Sequence, residues 1–275
     1  MEEYYFLFII AGAWTLIASL FDFKITEVPN WLNFSFIAVA LSYRLFYSII
    51  LEDFEFFVFG LIGLVIFIGL GYAFYYGKAF GGGDAKLLFG IGVILPYSNY
   101  FDFIYFSIAF VLLLFGIGAI WTFFYSLFLL NGRIKEVRKE FETINKWKKI
   151  FASIVFLLGL ILALNFEGYL TVSFLLFAIA PLFYFYAKIV DSVCLIREVN
   201  PKDLREGDWI YKDIKIKGRI IKKSVHGLNK EEILFLKKNR EKVVIRAGIP
   251  FTISFFLAMV SFSVLFLTGA LFFSF

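Results

Sequence analysis

Long apolar runs separated by brief polar breaks dominate the chain. Residues 4–21, 31–50, 54–77, 84–97, 101–130, 149–165, 168–188 and 249–272 are each apolar over most of their length. A helix needs about 20 such residues to cross a bilayer, so the pattern predicts about eight transmembrane helices. The fourth run is short for a crossing, and the fifth is long enough to tilt or to project beyond the lipid. The breaks at 51–53 and 165–168 suit tight helical hairpins. The first run follows Glu2 and Glu3, and no small-x-small cleavage site comes after it, so it reads as a retained helix rather than a removed signal peptide.

Two stretches are too polar to stay in lipid. Residues 131–149 read as a basic, partly amphipathic helix joining two spans along the membrane surface. Residues 188–248 read as a small domain. Gly207 to Tyr211 and Ile214 to Ile221 alternate like strands split by a turn at Lys212 and Asp213. Asn229 can cap a helix over 230–238, and 242–246 reads as a further strand. The expected organisation is a catalytic membrane core 1–130, a basic connector 131–148, a transmembrane hairpin 149–188, a small soluble α+β domain 189–248 and a final transmembrane helix 249–275. The fold class is an all-α polytopic membrane protein carrying that domain.

Composition sharpens this picture. The chain is 61% hydrophobic and 22% aromatic with 40 Phe, and its mean hydropathy is +0.84, far above what a soluble domain can hide from water. The Phe-rich spans read as packing and lipid-facing surface rather than a cofactor site. One Cys, Cys194, excludes an internal disulfide or a CxxC site, and one His, His226, excludes a histidine-rich metal site. Both read as structural or incidental, and neither a metal nor a cofactor is expected.

Charge predicts orientation. With the N-terminus outside, all of the 27 Lys and Arg except Arg44 fall on the inner side, as the positive-inside rule requires. The N-terminus and Phe275 are then both outside. Attraction to anionic inner-leaflet lipid accounts for the basic excess, and no nucleic acid is implied.

Two acids interrupt the apolar pattern. Asp84 closes the run Gly81-Gly82-Gly83 at the start of the fourth span, where three glycines weaken a helix and open its backbone. Asp22 ends the first span, before a loop in which Pro29 stops any helical path and Asn30 can cap the second helix. Two crossings lie between them, so both acids fall on the cytoplasmic face and can meet. A carboxylate at a bilayer edge is costly and marks a functional site by default. A pair of them is the minimum equipment of an aspartic protease: one takes a proton from water while the other, protonated, polarises the peptide carbonyl.

At these residues the chain resembles a known family. Asp22 followed by Val28-Pro29-Asn30-Trp31-Leu32, and Gly81-Gly82-Gly83-Asp84-Ala85-Lys86-Leu87-Leu88, look like the two signatures of the GxGD aspartic peptidases of the type IV prepilin peptidase family, with Val28 in place of Ile. The later polar segment, with Gly248-Ile249-Pro250-Phe251 before the last helix, is similar more loosely to the archaeal preflagellin peptidase branch. The resemblance implies that Asp22 and Asp84 are the catalytic pair and that Gly81 and Gly83 define the motif. A substrate strand would pair with the open backbone of Gly81, Gly82 and Gly83, and Glu27 would attract a basic leader. It implies archaellin or pilin-like precursors as partners, cut at the inner face of the cytoplasmic membrane. The cysteine-bearing domain of the methylating bacterial branch is absent, so cleavage without N-methylation is implied.

Plainer readings stand beside these. Asp84 can simply cap a helix beginning at Ala85, Asp22 can pair with Lys24 or Lys86, and Lys86 can snorkel or pair with an aspartate. Glu27 can be a solvated loop charge. A cation- or proton-coupled transporter with a broken helix at Asp84 is the rival function. A presenilin-like protease would need a Pro-Ala-Leu motif, which the sequence lacks.

Overall fold

The computed structural model describes residues 2–224, 226–239 and 242–271. Phe275, expected outside the membrane, lies beyond them. Among the described residues, ten α-helices and five short strands form two units, one within residues 1–123 and 249–275 and one within residues 124–248. Six helices among the described residues are long and apolar enough to cross a membrane. The chain is a polytopic helical membrane protein.

The first unit holds α1 (Glu2–Ile25), α2 (Asn30–Leu51), α3 (Glu55–Tyr76), α4 (Gly82–Ile94), most of α5 (Tyr100–Leu130), and α10 (Thr252–Leu267). The expected hairpin between α2 and α3 is present. Glu52 turns the chain in the left-handed region at φ 53°, and its N–H and that of Asp53 close on the carbonyls of Ile49 and Ser48. At 31 residues α5 is about 46 Å long, beyond the thickness of a hydrocarbon core. By contrast α4 has 13 residues, about 20 Å, and is not itself a span.

That short helix is the hub of the unit. Leu87, Leu88, Ile91, Val93 and Ile94 are fully buried. It crosses α3 at nearly bare backbone, where a Cβ on Gly63 would sit 2.0 Å from the Gly92 carbonyl oxygen. Its C-terminal end is held by Arg44 of α2, which is wholly buried. Arg44 Nε donates to Val93 O, Nη2 to Leu95 O and Nη1 to Phe56 O, each at 2.6 Å. The cation thus meets the negative end of α4, and its guanidinium also stands 4.6 Å from the ring of Phe56. Aromatic rings fill the contact of α1, α5 and α10, with Phe106 and Phe8 edge-on to Phe262 and Phe266. Outward residues such as Phe46, Val65 and Leu112 are exposed, as lipid contact requires.

The second unit contains α6 (Ile134–Thr143), α7 (Lys146–Asn165) and α8 (Tyr169–Val190), followed by a π-helical turn Asp191–Leu195. The single connector helix expected over 131–149 is two pieces. α6 stops at Thr143, and Asn145 caps α7 by accepting from Trp147 N–H at 2.9 Å. Ile144, between them, is buried with Ala152, Phe185 and Ile189, so the break seats an apolar residue that a continuous helix would have turned elsewhere.

Beyond α8 lie β1 (Ile196–Val199), β2 (Trp209–Ile210), β3 (Ile214–Ile216), β4 (Arg219–Ile221), α9 (Lys230–Asn239) and β5 (Val243–Arg246). The antiparallel order β1-β5-β2 pairs Ile196 with Arg246 and Ile210 with Ile245, while β3 and β4 form a separate hairpin. The expected single strand over Ile214 to Ile221 is therefore folded in half. Lys217 and Gly218 both have positive φ, 46° and 82°, which is the twist a two-residue hairpin turn requires. Asn229 caps α9 as expected, in a reciprocal box with Glu232. Leu204, Ile210, Ile221, Leu236, Val243 and Ile245 make this region's own apolar core.

Candidate active site

Asp22 sits in the last turn of α1, where the negative end of the helix disfavours a carboxylate. Donors from α10 offset this. Thr252, the first residue of that helix, gives its backbone N–H to Asp22 Oδ2 at 3.1 Å, and its hydroxyl Oγ1 lies 2.8 Å from the same oxygen. Asp84 lies in the first turn of α4, on the favourable end of its helix. Its Oδ2 accepts the Gly81 N–H at 3.2 Å, and its Oδ1 lies 3.1 Å from Thr252 Oγ1. One buried hydroxyl therefore touches both acids. Burial first, and then the carboxyl of Asp22, push the Asp84 carboxyl up from its ordinary value to about 7.

The two sequence signatures meet physically. A Cβ on Gly83 would come within 3.0 Å of Val28 Cβ, so the loop after α1 packs on the glycine run. Asn33 Nδ2 reaches the Gly83 carbonyl at 3.4 Å. Lys86 Nζ donates to Asn30 Oδ1 at 2.6 Å, so its partner is an amide rather than either aspartate. Asn30 is the first residue of α2 and Pro29 occupies the cap position, against the expectation that Asn30 caps the helix. The glycines differ from expectation as well. Gly82 and Gly83 lie inside α4, which starts at Gly82 rather than Ala85, and φ of Gly81 is −70°. Gly81 and Gly82 are both exposed; a Cβ on Gly82 would meet nothing closer than the Tyr75 ring at 3.8 Å, whereas one on Gly81 would stand 3.3 Å from Asp84 Oδ2. Capping and proximity to Asp22 coexist at Asp84. Glu27 is exposed in the loop and takes no part in the contacts joining the aspartates.

Thr252 is the residue that sequence reasoning passed over. A threonine in an apolar helix is ordinary. Its position directly after Pro250 and Phe251, where a helix must begin, was the available signal.

Residues 9–131 match the type IV leader peptidase family. The match includes Asp22, Asp84 and every residue of both signatures, and bears out the resemblance read from them. Among curated proteins, the preflagellin peptidase of Methanocaldococcus jannaschii is 32% identical over 92 residues, covering 34% of this chain and 39% of that protein. The preflagellin peptidase of Methanococcus maripaludis is 30% identical over 89 residues, covering 32% and 38%. The chain thus spans about two fifths of the length of these relatives. Thr252 and the rest of α10 lie outside the family match.

Proposed function

We propose that this protein is a membrane aspartic endopeptidase that removes the short basic leader from archaellin or type IV pilin-like precursors, without methylating the new N-terminus. The observation that carries the reading is the convergence of Asp22 and Asp84 on one hydroxyl, at the ends of two helices whose flanking sequences match a leader peptidase family. The family match and the names of the relatives support the substrate class.

In this reading one carboxylate takes a proton from a water whose oxygen bonds to the scissile carbonyl carbon. The other carboxyl gives its proton to the carbonyl oxygen, leaving a gem-diol. As the C–N bond breaks, the first carboxyl passes its proton to the leaving nitrogen and a diol hydroxyl returns one to the second. Both acids end as they began, and no metal or cofactor enters.

The exposed backbone of Gly81 and Gly82 would receive the extended substrate, and Glu27 would meet its basic leader. Lys and Arg placement supports an inner-face site in the cytoplasmic membrane, with the N-terminus outside. The test is incubation of the purified chain with pilin-like and archaellin precursors, followed by mass determination of the new amino terminus. A single cut between leader and apolar helix, lost in both Asp22→Asn and Asp84→Asn, is the expected result. Uncut precursor, or full activity in either variant, overturns the reading.

A further inference from the structure

A hydroxyl has one proton to give, yet Thr252 Oγ1 stands 2.8 Å from Asp22 Oδ2 and 3.1 Å from Asp84 Oδ1. If both acids were ionised, one of these contacts would set an oxygen lone pair against an anion in a buried site, which is repulsive. If both were protonated, with the second proton on Asp22 Oδ1, the Thr252 N–H and hydroxyl would meet a neutral oxygen instead of an anion, a weaker pairing for two donors. With a single proton on the pair, every contact is a hydrogen bond: one carboxyl donates to Oγ1, and Oγ1 donates to the other.

We infer that Thr252 is a positioning residue of the dyad, whose hydroxyl holds the two aspartates at one shared proton, with that proton on Asp84 and the charge on Asp22. The inference deepens the peptidase reading and rests on it for its catalytic consequence. The side of the proton follows from how each oxygen is occupied. Asp22 Oδ2 receives two donors from Thr252, its N–H and its shorter hydroxyl contact, which suits an anion at the start of α10. Asp84 Oδ2 accepts from Gly81 N–H, which leaves Oδ1 free to donate toward Thr252.

Other charges near the pair are engaged elsewhere or outward. Lys86 is held by Asn30, and Lys24 is exposed. The N-terminus of α4 favours charge on Asp84, but the Gly81 N–H that expresses it is exposed to the solvent side, whereas Thr252 is fully buried. Asp22 would then be the base that activates water and Asp84 the acid that protonates the carbonyl oxygen.

A hydroxyl that stabilises the singly protonated pair widens the pH interval over which that form exists. The experiment compares the full-length wild type, Thr252→Val and Thr252→Ser. It measures kcat and KM against pH on a synthetic precursor with a basic leader and an apolar helix. On the same proteins without substrate, infrared spectroscopy follows the titration of the carboxyl band. Valine keeps the shape and the backbone N–H but removes the hydroxyl. We expect Thr252→Val to lose about 100-fold in kcat at little-changed KM, and both its bell-shaped profile and the interval between its two carboxyl titrations to narrow. Serine should restore both.

A kcat within twofold of wild type with an unchanged pH interval in Thr252→Val overturns the inference, and so does serine behaving like valine. Should the valine variant fail to insert, Thr252→Ala carries the same comparison. If wild type leaves the precursor uncut while the carboxyl interval still narrows in Thr252→Val, the peptidase reading falls and the role of Thr252 in holding the pair stands.

Discussion

The two ends of α4 both carry charge, and they are built on opposite principles. At the C-terminal end the Arg44 cation is surrounded by three carbonyl oxygens at 2.6 Å and aromatic faces. At the N-terminal end two acids of the same sign face one another across a single hydroxyl. The first arrangement compensates a buried charge and locks the helix in place. The second leaves two carboxyls to share one proton, which makes that proton transferable. A helix too short to cross the bilayer thus carries an anchor at one end and, in the proposed reading, a reactive pair at the other.

The largest effect should come from breaking the reactive end. Asp22→Asn and Asp84→Asn are each expected to lower precursor cleavage on the order of 10³-fold, while unfolding in detergent shows stability unchanged or raised, because an ionisable group has been taken out of a site that disfavours its charge. Breaking the anchor should do the reverse. Arg44→Met takes three charged donors away from buried carbonyl oxygens, of which Leu95 O keeps the Tyr97 N–H, and a loss of about 3 kcal/mol in unfolding free energy is expected, with Arg44→Lys between it and wild type.

The pH profile sharpens the contrast further. With Asp84 at about 7, its proton is present below that pH and lost above it, so the alkaline limb of cleavage should fall there. At the acid end activity falls again as the second carboxyl is protonated and the base is lost. Gly82→Ala tests access alone. It should keep stability, since the site is exposed and alanine favours helix, yet lower kcat/KM about tenfold, or about 1.4 kcal/mol, measured with the same precursor. The smallest effect is expected at Glu27→Gln, a rise in KM of about twofold that vanishes at high salt, as an exposed charge should give.

The reactive end was legible because charge inside apolar sequence is expensive, so Asp22 and Asp84 stand out without any fold. Counting the two crossings between them was enough to bring them together. Thr252 was not legible in this way: a hydroxyl costs little in a helix that can satisfy it through its own backbone, and its partners are set by the packing of α10 on α1. The start of α4 was misread because glycine argues against helix locally, whereas the contact of Gly83 with Val28 makes a small residue the one that fits. In the second unit the fold of β3 on β4 was signalled by Lys217 and Gly218, a short turn hidden by the apolar alternation on either side. The anchor was visible as the one basic residue that orientation could not absorb, Arg44, although its partners are backbone atoms that no side-chain pattern reveals.

The three side chains of the site enter with the first, fourth and tenth helices. During synthesis the two acids are therefore in the bilayer well before Thr252 leaves the ribosome. A growing chain passes through an interval in which the acids are inserted and nothing yet bridges them. On the proposed reading hydrolytic competence arises late, with the arrival of α10, and the half-made chain is silent.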